Sequence, residues 1–153
     1  MKLLQAASTS IGSKILIALT GLALAIFLVG HLAGNLLFLA GPDAFNHYGH
    51  TMVSNPLIYV AEAGLIAVFL LHLGKAVAGF LANKAARPQG YAAKKWVKTK
   101  NSASRKSLAS TTMIVTGSIT LLFVVSHLLT FKFGTYYETP TGIRDLYRLQ
   151  LEI

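Results

Sequence analysis

The chain has 153 residues, 54% of them hydrophobic and only 12% charged, with a mean hydropathy of +0.57. So little charge cannot cover a soluble domain of this length, and lipid is the expected solvent. The net charge of +9 does not point to nucleic acid, because eight of the fourteen basic residues fall between Lys84 and Lys106, among no acids and between two apolar segments. A basic block in that position reads as a cytoplasmic loop beside anionic lipid or a partner subunit. The absence of cysteine excludes a thiolate-held iron–sulfur cluster, a C-x-x-C-H haem attachment and disulfides. No G-x-G-x-x-G follows a strand-like run, so nothing suggests a bound flavin or nicotinamide. Redox chemistry here would need a cofactor that histidines hold.

In chain order, residues 15–40 are uncharged, preceded by Lys2 and Lys14 and ended by Gly41-Pro42. This run exceeds the roughly 20 residues that cross the hydrocarbon core and is too long for a signal peptide, so it predicts a retained helix. Residues 57–81 form a second span opened by Pro56 and carrying two charges, Glu62 and Lys75. Residues 83–107 form the basic loop, with an Arg87-Pro88-Gln89-Gly90 turn. Residues 108–131 form the third span, closed by Lys132 and Gly134, and a short amphipathic stretch is expected from Ile143. The expected fold is an all-α integral membrane helical bundle in one membrane domain. The amino terminus and residues 83–107 are basic whereas 41–55 has Asp43 and no Lys or Arg, which predicts a cytoplasmic amino terminus.

Three histidines, His31, His72 and His127, lie inside the spans. Ionisable groups at such depth are costly and usually face the bundle interior. One histidine on each of three spans favours axial haem ligation over neutral cross-helix packing. At about 1.5 Å per residue, His31 and His127 both sit roughly 5–10 Å outside the midplane, level enough to share one haem. His72 lies slightly to the cytoplasmic side and needs another partner. Phe27, His31, Gly34 and Phe38 share a face flanked by Gly30, suited to close approach of either a helix or a porphyrin. Thr120, Phe123 and His127 share another. Lys75, one turn from His72, is placed either for a haem propionate or to snorkel to the interface.

The motifs Ser10-Ile11-Gly12-Ser13-Lys14, Ala18-Leu19-Thr20-Gly21-Leu22 and His31-Leu32-Ala33-Gly34-Asn35-Leu36 resemble the opening of the di-haem cytochrome b anchor of succinate dehydrogenases and fumarate reductases. The Asn46-His47-Tyr48 loop, Asn55-Pro56-Leu57 and Glu62, ten residues before His72, look like that family's second-helix entry. Arg87-Pro88-x-Gly90-Tyr91, and Thr112 to Gly117 leading to His127-Leu128-Leu129-Thr130-Phe131, extend the match over nearly the whole chain. The resemblance implies a five-helix subunit of succinate:quinone oxidoreductase in the cell inner membrane, carrying two bis-histidine haems b. His31 and His127 would hold the outer haem and His72 one side of the inner haem. The sequence departs from the family in stopping at Ile153, where two further spans are expected on a longer chain or another polypeptide, and in having Ser110-Thr111-Thr112 where an arginine is common.

The implied activity is electron relay within a succinate dehydrogenase or fumarate reductase, with no bond-making by this chain. Flavoprotein and iron–sulfur subunits would dock on the cytoplasmic face and a quinone, by family analogy menaquinone, would react near the outer face; a homodimer of the complex is compatible with this. Quinone reduction consumes two protons, which makes Asn46, His47, Tyr48, His50 and Glu62 the candidate quinone residues. The alternative is that His47 and His50 are solvated loop residues and Glu62 bonds across helices. Rival functions are a haem-free membrane scaffold or transporter fragment with structural histidines, and the bis-histidine cytochrome b of a hydrogenase or formate dehydrogenase.

Overall fold

The computed structural model describes residues 9–86 and 108–153, so the Arg87 turn and most of the basic loop lie outside the described residues. The described residues are helical, with an isolated bridge between Glu138 and Arg144 and no strand among them. Three helices are long and apolar enough to cross a membrane, as the composition requires. Leu19, Leu22, Val29, Val60, Leu70, Leu122 and Phe123 remain largely exposed along them. Apolar surface of this extent is stable only against lipid or a further protein surface.

Helix α1 spans Ser10–Asn35. It starts five residues before the expected boundary because the Thr9 side chain accepts the Gly12 N–H at 3.0 Å, capping the helix one turn ahead of the uncharged run. Beyond Asn35 the backbone tightens into a 3-10 segment, Leu36–Ala40, while the Asn35 amide donates to the His31 carbonyl at 2.8 Å. Gly41, at φ +102°, then turns the chain out.

The connection expected as a loop over 41–55 is instead helix α2, Pro42–Ser54. Pro42 occupies its first turn, where a missing N–H costs nothing, and Asp43 complements the positive end of the helix. Asn55 is extended before Pro56 (φ −84°, ψ 120°), which separates α2 from the next helix. Helix α3, Leu57–Ala85, continues past the expected end at residue 81, so Asn83 and Lys84 lie in the helix rather than in the basic loop. The apolar run stops near Leu81, but Asn83, Lys84 and Ala85 include good helix formers with no breaker before Pro88.

By internal contacts the chain divides into two units, residues 1–88 with 137–153, and residues 89–136. In the first, α1 and α3 run antiparallel: Thr20 meets His72, while Ala23 and Phe27 line a groove with Ile58, Leu65 and Val68. The tail folds onto α2 through a tight turn at Thr139–Ile143, with Gly142 at φ +80°, and a short helix α5, Leu146–Leu151. The amphipathic stretch expected from Ile143 is this helix, capped by Asp145, whose carboxylate accepts the Arg148 N–H at 2.9 Å. Helix α4, Leu108–Phe131, belongs to the second unit and ends where the predicted span ends.

Candidate functional site

Each of the three long apolar helices holds its histidine against a neighbouring side chain. On α3, His72 is half-buried, and its Nδ1 lies 3.0 Å from Oγ1 of Thr20, one of the few buried residues of the described chain. Threonine is tolerated there because its hydroxyl also donates to the Leu16 carbonyl, four residues back on its own helix, at 2.6 Å. The α1 backbone comes close at the next residue: a Cβ on Gly21 would lie 3.2 Å from Cε1 of His72. On α1, His31 stacks on Phe27 with ring centroids 5.3 Å apart and planes 17° from parallel. On α4, His127 stacks on Phe123 (5.5 Å, 28°) and leans on Phe131 (4.9 Å, 44°). His31 and His127 thus share one local device, a phenylalanine four residues earlier whose ring fixes the imidazole plane. The 3.6-residue helical period produces that stack, and it is worth about 0.5–1.5 kcal/mol beyond burial.

Thr20, the level of His72, and His31 are eleven residues apart on α1. At 1.5 Å per residue that is about 16 Å along the axis, so the two histidines of the first unit lie at separate levels. Comparison of the chain with protein-family models, curated proteins and solved structures finds no match. The site is therefore read from its own geometry.

Glu62 lies in an apolar groove of about 290 Å³ between α1 and α3, lined by Ala23, Phe27, Ile58, Gly64, Leu65 and Val68 among others. Phe27 lines this groove and stacks on His31, so the carboxyl shares a neighbour with that imidazole. None of Asn46, His47, Tyr48 or His50 lines the groove. They are also not loop residues, because α2 winds them into a helix. His47 bonds to Thr51 (Nδ1 to Oγ1, 3.2 Å) and His50 to Ser54 (Nε2 to Oγ, 3.3 Å), each one turn along α2. Asn46 is 3% exposed. Its amide donates to Asp145 Oδ1 at 2.8 Å and its carbonyl oxygen accepts the Tyr147 N–H at 2.9 Å, which docks the tail.

The face proposed for a flat cofactor on α1 is divided. Phe27 and His31 stay together, but Gly34 is covered by Tyr48, and Phe38 packs edge-on to Phe45 and face-on to Tyr147 (4.4 Å, 20°). The 3-10 winding after Asn35 advances about 120° per residue instead of 100°, which swings Phe38 towards the tail. A Cβ on Gly34 would sit 2.5 Å from the Tyr48 hydroxyl, so a larger residue there would force the Tyr48 ring to shift. Lys75 is half-buried on α3, one turn beyond His72, as its spacing predicts.

The site residues that sequence reasoning missed are Thr20, Asp145 and Tyr147. A threonine in an apolar span carries no signal of its own, and Asp145 and Tyr147 meet Asn46 across about a hundred residues of chain.

Proposed function

We propose that this chain is the haem b-bearing membrane anchor of a succinate:quinone oxidoreductase, relaying electrons between an iron–sulfur partner and membrane quinone. The observation that carries this reading is one histidine on each long apolar helix, each ring fixed by a neighbour: His72 by Thr20, His31 by Phe27, and His127 by Phe123 and Phe131. His31 and His127 would be the axial ligands of one haem and His72 one ligand of a second. The chain's other histidines, His47 and His50, lie on α2, so the second ligand to that haem would come from elsewhere. Bound haem b supplies one-electron transfer between two oxidation states of iron.

The chain's own residues do the rest. Phe27 and Phe123 hold the imidazole planes, and Lys75 offers a cation one turn from His72 for a propionate. Glu62, a carboxyl in an apolar groove beside Phe27, can accept or deliver a proton at a quinone oxygen, since quinone reduction takes up two protons. Menaquinone is the quinone favoured by the resemblance. The basic loop would meet the iron–sulfur and flavoprotein partners on the cytoplasmic side of the inner membrane.

The test is haem b per chain, measured by pyridine haemochrome on the purified chain and on His127→Ala. About one haem per chain, lost in the variant, is expected. A chain that binds no haem even when expressed with its partner subunits, or haem retained in both His31→Ala and His127→Ala, would sink the reading. Flavin in the copurifying partner, rather than nickel or molybdenum, separates this assignment from the hydrogenase and formate dehydrogenase cytochromes.

A further inference from the structure

A neutral imidazole has one N–H and one bare nitrogen, and only the bare one can bind a metal. Which nitrogen is bare at His72 follows from the proton supply at Thr20. The Thr20 hydroxyl has a single proton, and the Leu16 carbonyl 2.6 Å away has none. Two oxygens at that distance without a proton between them would set lone pair against lone pair, so the hydroxyl proton points at Leu16. The contact of 3.0 Å between Thr20 Oγ1 and His72 Nδ1 then needs its proton from the imidazole. His72 is therefore the Nδ1–H tautomer, and its Nε2 is the bare nitrogen. Among the described residues Nε2 has no hydrogen-bond partner. The α1 backbone at Gly21, close against Cε1, restrains the ring from the same side.

We propose that Thr20 is a positioning residue that fixes His72 as its Nδ1–H tautomer and presents Nε2 as a ligating nitrogen, an inference whose ligand half rests on the haem reading and whose tautomer half does not. Metal-bound histidines characteristically donate their second ring N–H to an oxygen, which sets the ring orientation and raises ligand basicity. A threonine turned inward on an apolar helix gives His72 that oxygen without placing a charge in the membrane. At His31 and His127 aromatic stacking bears on the ring plane.

The experiment uses the full chain in lipid nanodiscs, haem-free and labelled with ¹⁵N-histidine, at a pH above the ordinary histidine range. Ring nitrogen shifts then report the tautomer of His72 directly. Wild type and Thr20→Ser are expected to show Nδ1–H alone, and Thr20→Val a mixture with Nε2–H. An Nε2–H tautomer in wild type, or a Thr20→Val spectrum unchanged at His72, would overturn the proposal. In the haem-loaded chain, a haem lost on His72→Ala should show a midpoint potential that rises in Thr20→Val, from weaker donation by the ligand, and returns in Thr20→Ser. A potential indifferent to Thr20 overturns the ligand half. The tautomer pattern without any His72-dependent haem upholds Thr20 as the residue that sets the ring, and refutes the haem assignment at His72 instead.

Discussion

Replacing Asn46 with alanine is expected to release the tail from α2. The carboxamide is 3% exposed and makes two bonds to the tail, donating to Asp145 Oδ1 at 2.8 Å and accepting from the Tyr147 N–H at 2.9 Å. A neutral bond contributes about 0.5–1.5 kcal/mol net and one to a carboxylate about 1.5–3, so losing both costs about 2–4.5 kcal/mol. The Phe38–Tyr147 stack and the burial of Leu149, 5% exposed, remain to oppose release. At 1.4 kcal/mol per factor of ten, the open fraction of the tail should rise by roughly 30- to 1,600-fold. Amide hydrogen exchange of residues 145–151 in the full chain reads that fraction, with residues 57–85 as an internal control. Protection of 145–151 unchanged within threefold would refute the clamp and return Asn46 to the quinone candidates. Equal loss of protection in α3 would show general unfolding instead.

Three further outcomes follow from the same contacts. Gly34→Ala places a methyl group 2.5 Å from the Tyr48 hydroxyl and should destabilise the packing of α1 on α2 by about 1–3 kcal/mol, read as a lower midpoint in detergent denaturation; an unchanged midpoint would mean that Tyr48 swings away freely. If the proposed quinone role of Glu62 holds, Glu62→Gln should abolish most quinone reduction while haem per chain stays constant, and full turnover in the variant would remove Glu62 from the proton path. The Glu152 carboxyl, hydrogen-bonded by Tyr137 and then by Arg148, is held below its ordinary value of 4.5. Its folded value therefore lies below its unfolded one, so its contribution to the tail's own fold is complete above pH 4.5 and is lost as pH falls through the lowered value. Tail resonances should loosen only on acidification, and Glu152→Gln should remove that dependence.

Much of the fold was legible because lipid solvation imposes a simple demand, about 20 apolar residues in a row. The span 108–131 ends where α4 ends, and His31, His72 and His127 lie within helices as the uncharged runs require. Boundaries failed where charge was used to mark what capping decides, as at Thr9, where a hydroxyl starts α1 ahead of Lys14. Helix α2 was legible in principle: Pro42 followed by Asp43 is a helix-start signal, hidden by the glycine before it and by the polar residues that suggested a loop. The role of Asn46 could not be read, because its meaning depends on residues 145 and 147, far along the chain. Thr20 carries no functional signal in the sequence, since its hydroxyl acquires a role only when α3 is packed against α1.

The bond between Asn46 and Asp145 joins residues 99 positions apart, with two of the three long apolar helices between them. A contact of such long range forms only after the chain between its ends has been made and laid out. Synthesis proceeds from the amino terminus, so the Asn46 carboxamide on α2 finds its tail partners only after α4 and residues 145–147 have been made. Docking of the tail therefore follows the making of both α3 and α4. A chain stalled before the tail would leave Asn46 and the Phe38–Phe45 cluster bare.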